Sequence, residues 1–153
     1  MVDIHHHGEA DAPLEVAFAY LDDYRNATDW MFGLQKFVPA GDKDHGLGAK
    51  FDGTFSVKPV KLSSTIEITE WAENQVIAFK SIKGFKNEST WRFSADGPNR
   101  TNVDVVFSYF LPGGLAGKAL GKALEPIVAL SVRHSDAALR KNIEAVYAKG
   151  RTT

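Results

Sequence analysis

Residues 117–149 read GKALGKALEPIVALSVRHSDAALRKNIEAVYAK, and this stretch decides the fold. Its apolar residues recur at spacings of three, four and seven, which keeps them on one face of an α-helix. An unbroken helix of this length would extend about 50 Å, at a rise of about 1.5 Å per residue. The apolar stripe comprises Leu120, Leu124, Val128, Val132, Leu139, Ile143 and Val146. A helix that is apolar along one side needs a large apolar partner to cover that side.

The other residues of this predicted helix divide into a charged face and a few polar interruptions of the stripe. The charged face carries Lys122, Arg133, Arg140, Lys141 and Glu144. Ser131, Ser135 and Asn142 interrupt the apolar stripe. A tightly packed core has little use for hydroxyl and amide groups, so these residues indicate that the helix covers a partly open space.

The chain before this helix is patterned with a period of two, as half-buried strands are. Residues 51–57, for example, alternate between apolar or small side chains and polar ones. The predicted strands cover residues 2–9, 34–38, 50–58, 64–71, 76–82, 89–94 and 101–111. Two short helices separate the first strand from the second. One is capped by Asp11 and ends near Leu21, and the other covers residues 24–31.

The order of these elements predicts an α+β fold of the type β-α-α-β(6)-α. Short connections between successive strands favour an antiparallel meander. The sheet has one apolar face and the long helix one apolar stripe, and each is the only partner large enough for the other. We therefore expect a curved antiparallel sheet of about seven strands around the long C-terminal helix. No repeat or linker divides the chain, which predicts a single domain over residues 1–153.

Composition limits the possible partners. The net charge of −1 and the lack of basic clusters argue against nucleic acid as a partner. The absence of cysteine excludes disulfides, a thiolate nucleophile and thiolate-ligated metals. No segment reaches the roughly 18 apolar residues of a membrane span, and no signal-peptide layout is present. We expect a cytoplasmic protein without stable membrane insertion, and the sequence does not predict its oligomeric state.

Three features resemble the START-like (SRPBCC) superfamily: the element order, the Asp11-Ala12-Pro13 start of the first helix, and the sequence YFLPGG at residues 109–114. Within it, the chain is most similar to the polyketide cyclase/dehydrase and lipid-transport proteins. Birch-pollen-type allergens and coenzyme Q-binding proteins are relatives. The resemblance spans residues 2–149 and implies a helix-grip fold whose deep cavity, between sheet and long helix, usually holds a hydrophobic small molecule. It implies no shared catalytic set.

Large rings and a few polar groups on the inward faces are predicted to line this cavity. The predicted lining residues are Phe51, Phe55, Phe79, Trp91, Phe93, Val105, Phe107, Tyr109, Leu124, Val128, Ser131 and Ser135. Their alternation along strands is equally typical of ordinary core packing. The excess of aromatic rings favours a cavity, since apolar pockets are mostly lined by such side chains with a few polar anchors. Asn142 would add an amide across the gap.

Two functions remain open: binding of a lipid, polyketide-like or isoprenoid compound, and catalysis of the cyclase or dehydratase type inside the same cavity. A regulatory role through a protein partner is a third interpretation. Catalysis of this type needs a positioned acid or base in the pocket. The inward face carries Tyr109, serines and Asn142, with Glu125 near its edge, but no Asp, Lys or Arg. This pattern favours binding, with no catalytic residue and no cofactor.

Two histidine-containing patterns suggest chemistry. His5 and His7 share a strand face, a workable spacing for two metal ligands, but no third ligand is evident. We predict a solvated strand for residues 5–7 and no metal site.

Ser131, His134 and Ser135 fall within two helical turns. The serines lie near the middle of the stripe and His134 at its edge, Arg133 and Asp136 are expected to point away, and no Gly-x-Ser-x-Gly elbow is present. These serines are predicted to line the cavity or pack in the core.

Two segments have more than one interpretation. Four glycines between Gly113 and Gly121 punctuate the start of the long helix, and Pro126 interrupts it. They produce either a turn followed by a bend along the curved sheet, or a loosened segment that gates the cavity. The apolar cluster Trp30-Met31-Phe32 is either a plug on the core or part of an opening.

Overall fold

The structure is a computed structural model that describes residues 2–57, 60–110 and 114–151, without the side chains of Val57, Val60, residues 114–121 and Arg151. Its elements are β1 (Val2–Ala10), α1 (Leu14–Asp22), a 3₁₀ turn (Tyr24–Asn26), α2 (Ala27–Trp30), β2 (Leu34–Pro39), β3 (Lys50–Val57), β4 (Val60–Ala72), β5 (Val76–Gly84), β6 (Lys86–Ala95), β7 (Thr101–Phe110) and α3 (Gly114–Arg151). Across the described ranges, no helix combines the length and the apolar character that crossing a bilayer requires.

The seven strands of the described chain form one sheet in the order β1-β7-β6-β5-β4-β3-β2. Every neighbouring pair is antiparallel. The pairing register shifts once between β2 and β3 and twice between β4 and β5. Such bulges bend a strand and increase its twist, which helps a sheet to curve around a helix. The predicted α+β helix-grip fold is confirmed.

The long helix α3 is the second half of the core. Leu139 and Ile143 have no exposed surface, and Val132 is buried. Val146 was predicted in the same stripe, but 49% of it is exposed, so that prediction was wrong. Tyr147, four residues after Ile143, takes the stripe position instead, because it packs against the core and its hydroxyl donates to Asn99 Oδ1 at 2.9 Å.

The side chains of residues 114–121 and the whole of residues 111–113 lie outside the described part. The packing of Leu120 and the gate at Gly113–Gly121 therefore stay predictions. Pro126 lies inside the continuous helix, where its ring supplies no N–H for the carbonyl of Lys122.

The short helices differ from the prediction at their ends. Pro13, not Asp11, occupies the N-cap of α1, and no side-chain hydrogen bond caps the helix. The Asp11 N–H donates instead to Glu144 Oε2 of α3 at 2.8 Å. This contact ties the start of α1 to the long helix. The helix predicted over residues 24–31 is a 3₁₀ turn followed by the single α-turn of α2.

A buried carboxylate joins β1 to α3. Asp136 was expected to point away, but its side chain has no exposed surface. His6 Nε2 lies 2.9 Å from Asp136 Oδ2, and Arg140 Nε donates to the same oxygen at 2.8 Å. Asp136 Oδ1 has no hydrogen-bond partner among the described residues. A Cβ atom at Gly8 would lie 2.5 Å from both carboxylate oxygens, so this close approach requires glycine.

Replacing Gly8 by alanine should therefore destabilise the fold. The added methyl group would push Asp136 away from β1, and overpacking of this kind costs about 1–3 kcal/mol. The expected loss of melting temperature is several degrees. Gly41→Ala is the control, because no atom lies within 4 Å of a Cβ there. Equal melting temperatures for the two variants would contradict the close packing of β1 on α3.

The burial difference along the helix stripe makes a second prediction. Leu139→Ala should lower the free energy of unfolding by about 2–5 kcal/mol, because it leaves a cavity in the core. Val146→Ala should change the free energy of unfolding by less than about 0.5 kcal/mol, as surface substitutions usually do. Urea unfolding of both variants measures the difference. Similar losses for the two would mean that the helix face is assigned incorrectly.

Candidate functional site

A cavity of about 160 Å³ lies between the inner face of the sheet and α3. This volume is smaller than the several hundred Å³ expected for a typical small-molecule site. Alternation along the strands builds the wall, because every second residue points to the same face of a sheet. On the strands β3 to β7, the contributing residues include Phe51, Gly53, Phe55, Leu62, Ser64, Ile66, Ile68, Ile77, Phe79, Asn87, Ser89, Trp91, Val105, Phe107 and Tyr109, and Phe85 contributes from the turn between β5 and β6.

All but one of the predicted lining residues lie in this wall. These are Phe51, Phe55, Phe79, Trp91, Val105, Phe107, Tyr109, Leu124, Val128, Ser131 and Ser135. Phe93 does not line the cavity. It shares a strand face with Trp91, but its ring packs edge-on against Phe18 of α1, with 5.4 Å between ring centroids. The helix α1 covers the sheet at that position and fills the space.

The β2 strand adds two wall residues that simple alternation misses. Leu34 and Phe37 are three residues apart, yet both line the cavity. A period of two would place them on opposite faces. The register shift between Leu34 and Lys36 changes the alternation, so the two side chains reach the same wall. Phe37 then stacks on Phe51, with 4.8 Å between ring centroids.

The cluster Trp30-Met31-Phe32 is both a wall and part of an opening. All three residues line the cavity. Trp30 is buried, whereas 42% of Phe32 is exposed and its ring stacks on His134. Ile127 of α3 also lines the cavity and is exposed. The cavity therefore reaches the surface between the segment after α2 and the middle of α3.

Both helix serines form hydrogen bonds with backbone groups. Ser135 Oγ accepts a hydrogen bond from the Phe32 backbone N–H at 2.8 Å, which holds the segment after α2 against α3. Ser131 Oγ donates to the Ile127 carbonyl of its own helix at 2.9 Å. His134 stacks on Phe32 outside the wall, and no hydrogen bond joins it to either serine among the described contacts.

Asn142 and Glu125 do not contribute to this wall. The Asn142 amide was expected to face the cavity. Its Nδ2 instead donates to the Tyr20 hydroxyl at 3.0 Å and to the Asp29 carbonyl at 3.2 Å, on the outer side of α1 and α2. Glu125 is exposed, and the residues that line the cavity do not include it.

A group of polar residues lies on the sheet side of the wall. Asn87 Nδ2 donates to the Phe85 carbonyl at 2.9 Å and approaches Ser64 Oγ at 3.4 Å. Asn87 is also the cross-strand neighbour of Tyr109. Burial raises the pKa of the Tyr109 hydroxyl, and nearby Glu125 raises it further. The hydroxyl therefore stays protonated at neutral pH.

Asp22, the last residue of α1, is an acidic wall residue that the sequence pattern does not predict. Its carboxylate accepts a hydrogen bond from Trp71 Nε1 at 2.9 Å, and His45 Nε2 lies 2.6 Å from its other oxygen. Both partners are distant in the chain, so no local pattern connects them to Asp22. Both oxygens are engaged, which fixes the loop carrying His45 against the end of α1.

The three histidines of β1 divide between the two faces of the strand. His5 and His7 face outwards, and a hydrogen bond to Asp104 raises the pKa of His7. His6 faces α3 and contacts the buried Asp136, so the expectation of a fully solvated segment was wrong for this residue. Within the described ranges, no group of three or more His, Asp or Glu residues is placed to hold a metal ion.

Comparisons with solved structures show the same fold. A protein from Thermus thermophilus matches with a TM-score of 0.82 at 19% identity, over 95% of this chain and 99% of that one. The Zhui aromatase/cyclase from a Streptomyces species matches with a TM-score of 0.75 at 15% identity, over 94% and 93% of the two chains. A START superfamily protein from Mycobacterium smegmatis matches with a TM-score of 0.60 at 18% identity, over 88% and 98%.

The sequence comparison is more specific than the structural one. Among curated proteins, no sequence matches this chain significantly. The profile of the family described as polyketide cyclase/dehydrase and lipid transport, however, matches residues 1–144. Because this match covers nearly the whole chain, the protein belongs to the polyketide cyclase/dehydrase and lipid-transport family.

Proposed function

We propose that the protein binds a hydrophobic small molecule, such as a lipid, a polyketide-like compound or an isoprenoid, in the cavity between the sheet and α3. The observation that carries this proposal is the composition of the wall. Aromatic and aliphatic side chains from β2 to β7, α2 and α3 form nearly all of it. The residues proposed to contact the ligand are the predicted lining residues other than Phe93.

The size of the cavity sets the scale of the affinity. An apolar cavity of about 150 Å³ stays dry and accepts a molecule such as benzene. A naphthalene-sized ligand has about ten heavy atoms. A binding free energy of about 0.7 kcal/mol per heavy atom lies well below the ceiling for very small ligands. The resulting 7 kcal/mol or so corresponds to a dissociation constant of about 10 μM. A longer ligand would extend through the opening between Phe32 and Ile127.

Catalysis of the cyclase or dehydratase type is the second candidate, and Asp22 is the observation that favours it. This carboxylate in the wall is a group that acid–base catalysis can use. Its two oxygens are already engaged by Trp71 and His45, however, which favours a structural role. A candidate compound is incubated with the protein, and its mass is compared before and after incubation by mass spectrometry to separate the two functions. An unchanged compound supports binding alone, and a changed one supports catalysis.

The binding proposal predicts that the neutral fluorophore N-phenyl-1-naphthylamine binds the native protein with a dissociation constant in the micromolar range. Ser131→Trp should abolish this binding, because the indole would occupy the cavity from α3. Ala137→Trp is the control, since residue 137 lies on the exposed side of the same helix. Fluorescence titration measures the affinity, and circular dichroism checks that each variant is folded.

Two results would contradict this proposal. The first is the absence of any fluorophore binding to the folded wild-type protein. The second is equal affinity in the wild type and in a folded Ser131→Trp variant, which would put the binding site elsewhere on the molecule.

A further inference from the structure

Two tryptophans form the same part of the cavity wall, yet their indole N–H groups differ. Trp30 of α2 and Trp91 of β6 pack edge-on against each other, with 5.1 Å between ring centroids. Each is only 4% exposed, and both line the cavity. Trp91 Nε1 donates to Ser89 Oγ at 3.2 Å. Trp30 Nε1 is buried and has no acceptor among the described residues.

An unpaired N–H of this kind lowers the stability of the folded protein. Leaving a buried donor without a partner costs about 1–3 kcal/mol, and nearly all buried polar groups in folded proteins have one. The indole N–H can only donate, so its missing partner must be an acceptor. The ring of Trp30 borders the cavity, so a molecule in the cavity can supply the acceptor that the protein does not.

We infer that Trp30 selects ligands that carry a neutral acceptor oxygen, of the ketone, ester or quinone type, by donating a hydrogen bond from Nε1 to that oxygen. This inference rests on the proposed binding function and adds a specificity-determining residue to it. It divides apolar molecules of equal size into two classes. Those with a carbonyl oxygen at the Trp30 position satisfy the buried N–H, and pure hydrocarbons leave it unpaired.

The charges of the wall exclude an ionised acceptor. Within the described residues, no lysine, arginine or histidine lines the cavity, and Asp22 is the only acidic residue there. A carboxylate or phosphate bound beside Trp30 would lose its hydration without a counter-ion, and burying such a charge unpaired is very costly. The negative charge of Asp22 adds to this cost. A neutral carbonyl oxygen meets the same N–H without the penalty.

The test uses two ligands of nearly the same shape. In 2-isopropenylnaphthalene, a methylene group replaces the carbonyl oxygen of 2-acetylnaphthalene, and all other atoms are the same. Their affinities are measured by displacement of N-phenyl-1-naphthylamine from the wild type and from Trp30→Phe, which keeps a ring but removes the N–H. We expect Trp30→Phe to weaken the ketone about tenfold more than the alkene, the size of one recovered hydrogen bond.

Trp91→Phe is the matched control. It removes an indole of equal burial from the same wall, but that N–H already has Ser89 as its acceptor. Trp91→Phe should therefore change the affinities of both ligands by the same factor. If Trp30→Phe also changes both by the same factor, the inference is wrong, and the lost affinity reflects only the lost ring. If neither ligand binds the folded wild type, the proposed binding function itself fails.

Nuclear magnetic resonance gives a readout that does not depend on the stability of a variant. The chain has three tryptophans, so the ¹⁵N-labelled wild type gives three indole N–H signals. The ketone should shift the Trp30 signal downfield, as a new hydrogen bond does, and the alkene should not. Identical shifts with the two ligands would overturn the inference.

Discussion

The apolar stripe of α3 needs a cover, and the rest of the fold follows from how the sheet provides it. The two halves of the helix meet this need differently. Towards the C-terminal end, Leu139 and Ile143 are packed without any exposed surface. Towards the middle, Leu124 and Val128 are only half buried, because they face the cavity rather than solid core. A single helix therefore anchors the fold with one half and forms a wall of the cavity with the other.

Buried charged groups and neutral polar groups also occupy different parts of the structure. The buried ionic contact between Asp136, His6 and Arg140 lies at the junction of α3 with the edge strand β1. The hydrogen-bonding groups of the cavity wall are neutral apart from Asp22. Buried charges are tolerated where each has a partner, and an empty apolar space offers none. The ionic contact lies outside the cavity wall, so Asp22 is the only charged residue among the described residues that line the cavity.

Most of the fold and much of the cavity wall follow from periodicity, because both depend on which face a residue points to. The seven strands, their antiparallel order and the long helix are of this kind, and so are wall residues such as Phe55 and Phe107. The errors arise where tertiary contacts override local pattern. Phe93 lies on the same strand face as Trp91 but is covered by Phe18. Leu34 and Phe37 line the same wall only because of a bulge. Asp22 contacts His45 and Trp71, and Asp136 contacts His6; these partners lie more than twenty residues away in the chain, which no local spacing reveals.

Ser135 and Asp136 are neighbours in the chain but hold opposite sides of the molecule. Successive side chains on a helix are about 100° apart. Ser135 is bonded to the backbone after α2, and Asp136 to the edge strand. These two bonds act as a rotational lock, because turning α3 about its axis in either direction breaks at least one of them. Moving the α2–β2 segment away from α3 to admit a bulkier ligand would therefore break the bond between Ser135 and Phe32, whereas the contact between Asp136 and His6 would still hold α3 on the edge strand.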